Sequence, residues 1–128
     1  MNAQQIARYV IAFSWIYHGL FPKLMHIAPL ERLMTASLGL STEMSDWVTR
    51  FAGISEILFG IVFFVFYTNK TLNILNIIGM LALLLFVAIL QPQLLIEAFN
   101  PVTTNLPLIA FSVILLRANV NQKTETHQ

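Results

Sequence analysis

The sequence predicts an all-α fold, an integral membrane four-helix bundle, and three observations predict it. Hydrophobic residues make up 57% of the chain and charged residues 10%, against roughly 25% charged in an ordinary soluble domain. A mean hydropathy of +0.73 leaves too little polar surface to cover a globule of 128 residues, so lipid is the expected solvent. Apolar stretches close to the about 20 residues that a spanning helix needs occur four times between polar breaks, and a fifth does not fit.

The first span is expected over residues 4–21, with Arg8 in its first turns and Pro22 disfavouring helical geometry at Phe21. Pro22-Lys23 stands where a secretory signal would carry small residues, so the run reads as an uncleaved anchor. Residues 25–46 form the one long polar connection and hold Glu31, Arg32, Glu43 and Asp46. Within it, Pro29 in a first turn, apolar Leu30, Leu33, Met34 and Leu38, and Gly39 as a stop describe a short amphipathic helix. Such a helix would lie in the external interface as a lid.

The second span is expected over 46–67, capped by Ser41 or Ser45, with Trp47 and Tyr67 at the two interfaces. Asn69-Lys70 makes a turn into a third span over 71–90 that stops at Gln91-Pro92, with residues 93–99 extending it beyond the membrane. Asn100-Pro101 opens a fourth span over 101–117, which Pro107 should kink. Residues 1–118 make one transmembrane domain, and the polar residues 119–128 read as a disordered tail. Arg8, Lys70, Arg117 and Lys123 would share one side of the membrane. Lys23, Arg32 and Arg50 would fall on the other, largely offset by acids, so both termini are expected in the cytoplasm.

Composition also excludes function classes. A net charge of +1 and a pI near 8.2 supply no basic field for nucleic acid. The absence of cysteine removes disulfides, iron–sulfur clusters, thiolate zinc sites and thiol redox chemistry. His26 follows Lys23 by three residues, but no third ligand stands at metal-binding spacing, and no metal site is expected.

The residues that could carry chemistry are the ionisable groups inside the apolar segments. Glu56 falls near the middle of the second span, where a carboxylate needs a partner or a proton. Ala52, Gly53 and Gly60 share its face and allow close packing against another helix. In an antiparallel pair of the first two spans, Glu56 lies at a depth between Arg8 and His18, within reach of either. One reading is an Arg8–Glu56 ion pair that sets helix register. Another is a His18–Glu56 proton relay or ligand anchor. Trp15 lies nearly on the side of Arg8. Lys23 reads most simply as a snorkelling anchor, and alternatively as a cation for an anionic group. Asn73 and Asn76 share a face of the third span and suit interhelical hydrogen bonds. The ten phenylalanines decide nothing by themselves.

Arg8, an apolar run, His18-Gly19 and Lys23-Leu24, followed by Glu56 within G-I-S-E-I-L-F-G, together resemble the DoxX-like family of small bacterial membrane proteins. The likeness covers the first two spans, and the rest follows by hydropathy. The family's lysine often follows His-Gly after two residues. Here three intervene, including Pro22, and the H-G-L-F-P-K-L form looks like the branch sometimes joined to short-chain dehydrogenase domains. The resemblance implies an inner-membrane four-helix bundle whose namesake is a membrane subunit of a thiosulfate:quinone oxidoreductase. On that footing the expected role is a membrane component of an oxidoreductase system. Such a protein would hold a quinone-like or other small lipophilic molecule at Arg8, Trp15, His18, Lys23 and Glu56, with His18 and Glu56 relaying a proton. Its partners would be the bilayer, that molecule, a redox partner protein and, compatibly, further copies of itself. A permease-like binding module and a scaffold without ligand are the alternatives.

Overall fold

In the computed structural model the backbone is described for residues 1–125 and side chains for residues 1–119. Every regular element among the described residues is helical. Helix α1 spans Ala3–Gly19 and runs directly into a π-helical turn, Leu20–Met25. Helix α2 spans Pro29–Ala36, α3 Thr42–Val65, α4 Lys70–Leu90 and α5 Pro101–Glu125, with a 3-10 turn at Pro92–Ile96 before α5. Helix α3, helix α4 and residues Pro101–Asn119 are long and apolar enough to cross a membrane. Helix α1, at 17 residues, is shorter.

The local signals explain most boundaries. Ser41 accepts from Met44 N–H at 3.3 Å at the start of α3. Asn69 and Asn100 accept from Leu72 N–H and Thr103 N–H, 3.2 and 3.1 Å, at the starts of α4 and α5. Gly39 follows α2 with φ +75, a left-handed stop that glycine adopts without a Cβ penalty.

Two boundaries differ from expectation. Pro22 does not end the first helix, because the wider π turn lets the chain pass a residue that has no N–H and whose ring would crowd the preceding turn. Helix α5 continues to Glu125, into the tail expected to be disordered, since no glycine or proline follows Pro107 to stop it. Residues 126–128 of that tail lie outside the described residues.

The chain forms two compact units, Ala12–Val62 and Met1–Ile11 with Phe63–Gln128. In the second of these, α4 and α5 pack antiparallel along a seam of polar side chains. Asn76 Nδ2 donates to Ser112 Oγ at 2.9 Å and to Leu108 O at 3.2 Å, and Asn105 Nδ2 donates to Met80 O at 3.2 Å. Asn73 instead bonds locally, to Tyr67 O and Asn69 O.

In the 12–62 unit, α1 and α3 are antiparallel and packed backbone to backbone. A Cβ on Gly19 would lie 2.3 Å from Gly53 O, and one on Gly60 would lie 2.9 Å from Ala12 O. This is small-residue packing, which suits helices whose solvent gives them no hydrophobic reason to associate.

Candidate functional site

The buried positions of α3 within this unit are Ser45, Thr49, Gly53, Glu56 and Gly60, a three-and-four spacing that forms one stripe along a helix. Glu56 therefore faces protein, as its small neighbours implied. Its partner is Lys23, whose Nζ donates to Glu56 Oε1. Both residues are buried, Lys23 at 7% and Glu56 at 9% exposure.

The π turn delivers this lysine. It carries the chain on from Gly19 with its side of the helix still against α3, so that Lys23 Cβ lies 2.9 Å from the position a Gly53 Cβ would take. The snorkelling expectation for Lys23 is thus corrected. Its ammonium does not reach for the interface, because a buried carboxylate stands within hydrogen-bonding distance.

A second carboxylate completes the site. Glu31 Oε1, on α2, lies 3.7 Å from Lys23 Nζ. Partial burial is the larger influence on Glu31 and raises its carboxyl above the ordinary value of 4.5, with Lys23 acting in the opposite direction. Helix α2 is tied down just after Glu31. Thr35 and Ser45 share a buried hydrogen bond, and Arg32 reaches Asp46 at 3.3 Å.

A short helix stands where the lid is expected between the first two spans, with the leucines outward and the polar residues inward. Leu30, Leu33 and Leu38 are exposed, while the polar pair Glu31 and Thr35, one turn apart, faces inward. A helix at a membrane surface gains by presenting its leucines to lipid and its acid to a buried cation.

One polar atom at the centre is not satisfied. Glu56 Oε2 is buried without a hydrogen-bond partner among the described residues, and so is Thr49 Oγ1, two turns earlier on the same face. Buried oxygens of this kind are costly and mark a place where a donor belongs.

The remaining expected site residues have surroundings of their own. Trp15 packs edge-on against Phe59, ring centroids 4.9 Å apart at 66°. His18 is exposed on α1, near enough to Glu56 and Lys23 for their charges to act on its ring. Arg8 is engaged within its own unit. Its Nε donates to Phe64 O at 2.7 Å and its guanidinium lies 4.0 Å from the Phe64 ring centroid, so a carbonyl and aromatic faces take the place expected for a carboxylate.

Sequence reasoning missed Glu31 and Thr49 as members of the site. The signal for Glu31 was available in its one-turn spacing from Thr35, although a surface acid on a short helix ordinarily reads as solvated. Thr49 gave no signal of its own.

Comparison with known proteins adds one finding. A family model described as the DoxX-like family matches residues 12–113, a range that contains Lys23, Glu31, Thr49 and Glu56. No curated protein and no solved structure matches the chain.

Proposed function

Because this chain belongs to the DoxX-like family, we propose that it is a four-span protein of the bacterial inner membrane that holds the polar head of a quinone-like molecule against Lys23 and Glu56. It would serve as a membrane component of an oxidoreductase system. The single observation that carries this reading is Glu56, buried with one oxygen bound to Lys23 and the other unpartnered.

Such a pair suits a head group that alternates between carbonyl and hydroxyl. Lys23 donates to a carbonyl with an N–H that neither Glu56 nor Glu31 takes. Glu56 Oε2 accepts from a hydroxyl and can receive its proton, with exposed His18 close enough to pass the proton on. A bound quinone supplies two-electron chemistry, and a redox partner protein supplies or removes the electrons. The fourth crossing is α1, whose 17 residues reach about 26 Å. The π turn continues the helix toward the about 30 Å of a hydrocarbon core.

The test is titration of the purified full chain with a short-chain benzoquinone and its quinol, followed by tryptophan fluorescence. Saturable binding is expected, weakened about tenfold or more in Glu56→Gln, the loss of one hydrogen bond to a charged group. The Lys23→Met/Glu56→Leu double variant should stay folded and bind neither form. Equal binding by wild type and double variant would overturn the reading.

A scaffold whose charges only pin helix register is favoured by the Gly19–Gly53 backbone approach beside the pair. That reading gains if no variant, nor the wild type, binds any quinone.

A further inference from the structure

We propose that the end of the 1–11 and 63–119 unit carrying Arg8, Tyr67 and Lys70 is a binding site for the phosphate headgroup of an anionic phospholipid. The site rests on the chain being a membrane protein and is independent of Lys23 and Glu56.

Arg8 is its centre. The guanidinium Cζ lies 4.0, 4.9 and 5.9 Å from the ring centroids of Phe64, Tyr67 and Tyr9, and Nε is spent on Phe64 O. Tyr9 and Phe64 also touch each other, centroids 5.5 Å apart, so the aromatic wall is itself held. The plane of the guanidinium is thereby fixed, while its two terminal nitrogens make no hydrogen bond among the described residues. A stacked arginine with a free edge presents the paired donors that a phosphate accepts two at a time.

Among the described side chains, the charge around it is of one sign. No Asp or Glu occurs in residues 1–30 or 57–96, so nothing in the neighbouring sequence neutralises Arg8. Lys70 opens α4 three residues after Tyr67 and is exposed. Asn119 donates to Thr68 O, which brings the α5 turn carrying exposed Arg117 to the same α3–α4 connection. Three cations and two tyrosines thus share one end of this unit.

The flanking surface favours a lipid over a soluble phosphate. Val65 and Phe66 are more than half exposed, and Tyr9 is half exposed. Apolar residues and tyrosine hydroxyls meet at headgroup depth in membranes. If the termini are cytoplasmic, this end faces the leaflet in which anionic lipids attract basic residues.

The test is native mass spectrometry of the full chain with mixed phosphatidylglycerol and phosphatidylcholine, counting the lipid that stays bound. Preferential retention of phosphatidylglycerol is expected, reduced about fivefold by Arg8→Gln. Arg8→Lys should restore only part of it, because the charge returns without the planar fork. Equal retention of the two lipids, or an unchanged preference in Arg8→Gln, would overturn the proposal. So would displacement of the lipid by inorganic phosphate. If Arg8→Gln does not fold, the Lys70→Gln/Arg117→Gln variant decides. A reduced preference supports the site and an undiminished one rejects it. Quinone binding at Lys23 and Glu56 should be untouched by every one of these variants.

Discussion

Lys23 and Glu56 are each half of a neutral pair, and neither is tolerable alone where they lie. Removing one partner of a buried ion pair typically costs about 3–5 kcal/mol, because the survivor remains charged and unpaired, whereas replacing both with apolar residues is often neutral. Lys23→Met alone should therefore lower unfolding stability in denaturant by about that amount, and adding Glu56→Leu should recover most of it. Non-recovery would mean the charges do more than offset each other. Glu31 makes a pH prediction of opposite character. Its folded-state carboxyl lies above 4.5, so folding favours its protonated form. The associated stability is complete below the unfolded value and is lost as pH rises through the folded one. Thermal unfolding followed across that range should show stability declining with pH in the wild type and a flatter profile in Glu31→Gln.

At the scale of elements, the helices associate by two different means. Helices α1 and α3 meet through glycine, and a Cβ on Gly19 or Gly53 would meet a backbone oxygen at 2.3 or 2.7 Å. A carbonyl cannot rotate away as a side chain can, so Gly19→Ala and Gly53→Ala should each destabilise by about 1–3 kcal/mol while leaving helicity by circular dichroism unchanged. Helices α4 and α5 are joined through amides. Asn76→Leu removes the bonds to Leu108 and Ser112 and should cost about 0.6–2 kcal/mol by thermal unfolding in detergent, the usual range for interhelical hydrogen bonds in membranes. The glycines and asparagines were both visible as face-sharing residues in the sequence. What periodicity did not supply was the pairing, because spacing reports which face of a helix is special and says nothing of what stands opposite.

For the whole molecule, the topology is the decisive measurement. Reporter fusions after residues 69 and 118 should report the cytoplasm, and a fusion after residue 38 the opposite side. A cytoplasmic signal at residue 38 would mean that α1 does not cross. Composition, hydropathy and the breaks at Gly39, Asn69 and Asn100 were sufficient to determine an all-helical membrane chain and the approximate bounds of its long helices, because those properties are local and lipid imposes them on every residue alike. The G-I-S-E-I-L-F-G and H-G-L-F-P-K-L segments likewise pointed to the family. The partner of Glu56 was decided only by tertiary structure. The sequence offered Arg8 and His18 and read Lys23 as an anchor, whereas the partner is Lys23, delivered by a π turn that carries the chain past Pro22. Those are properties of backbone path and of inter-element distance. Hydrophobic periodicity carries no record of either, since a buried charge is satisfied by whichever opposite charge the fold places within reach.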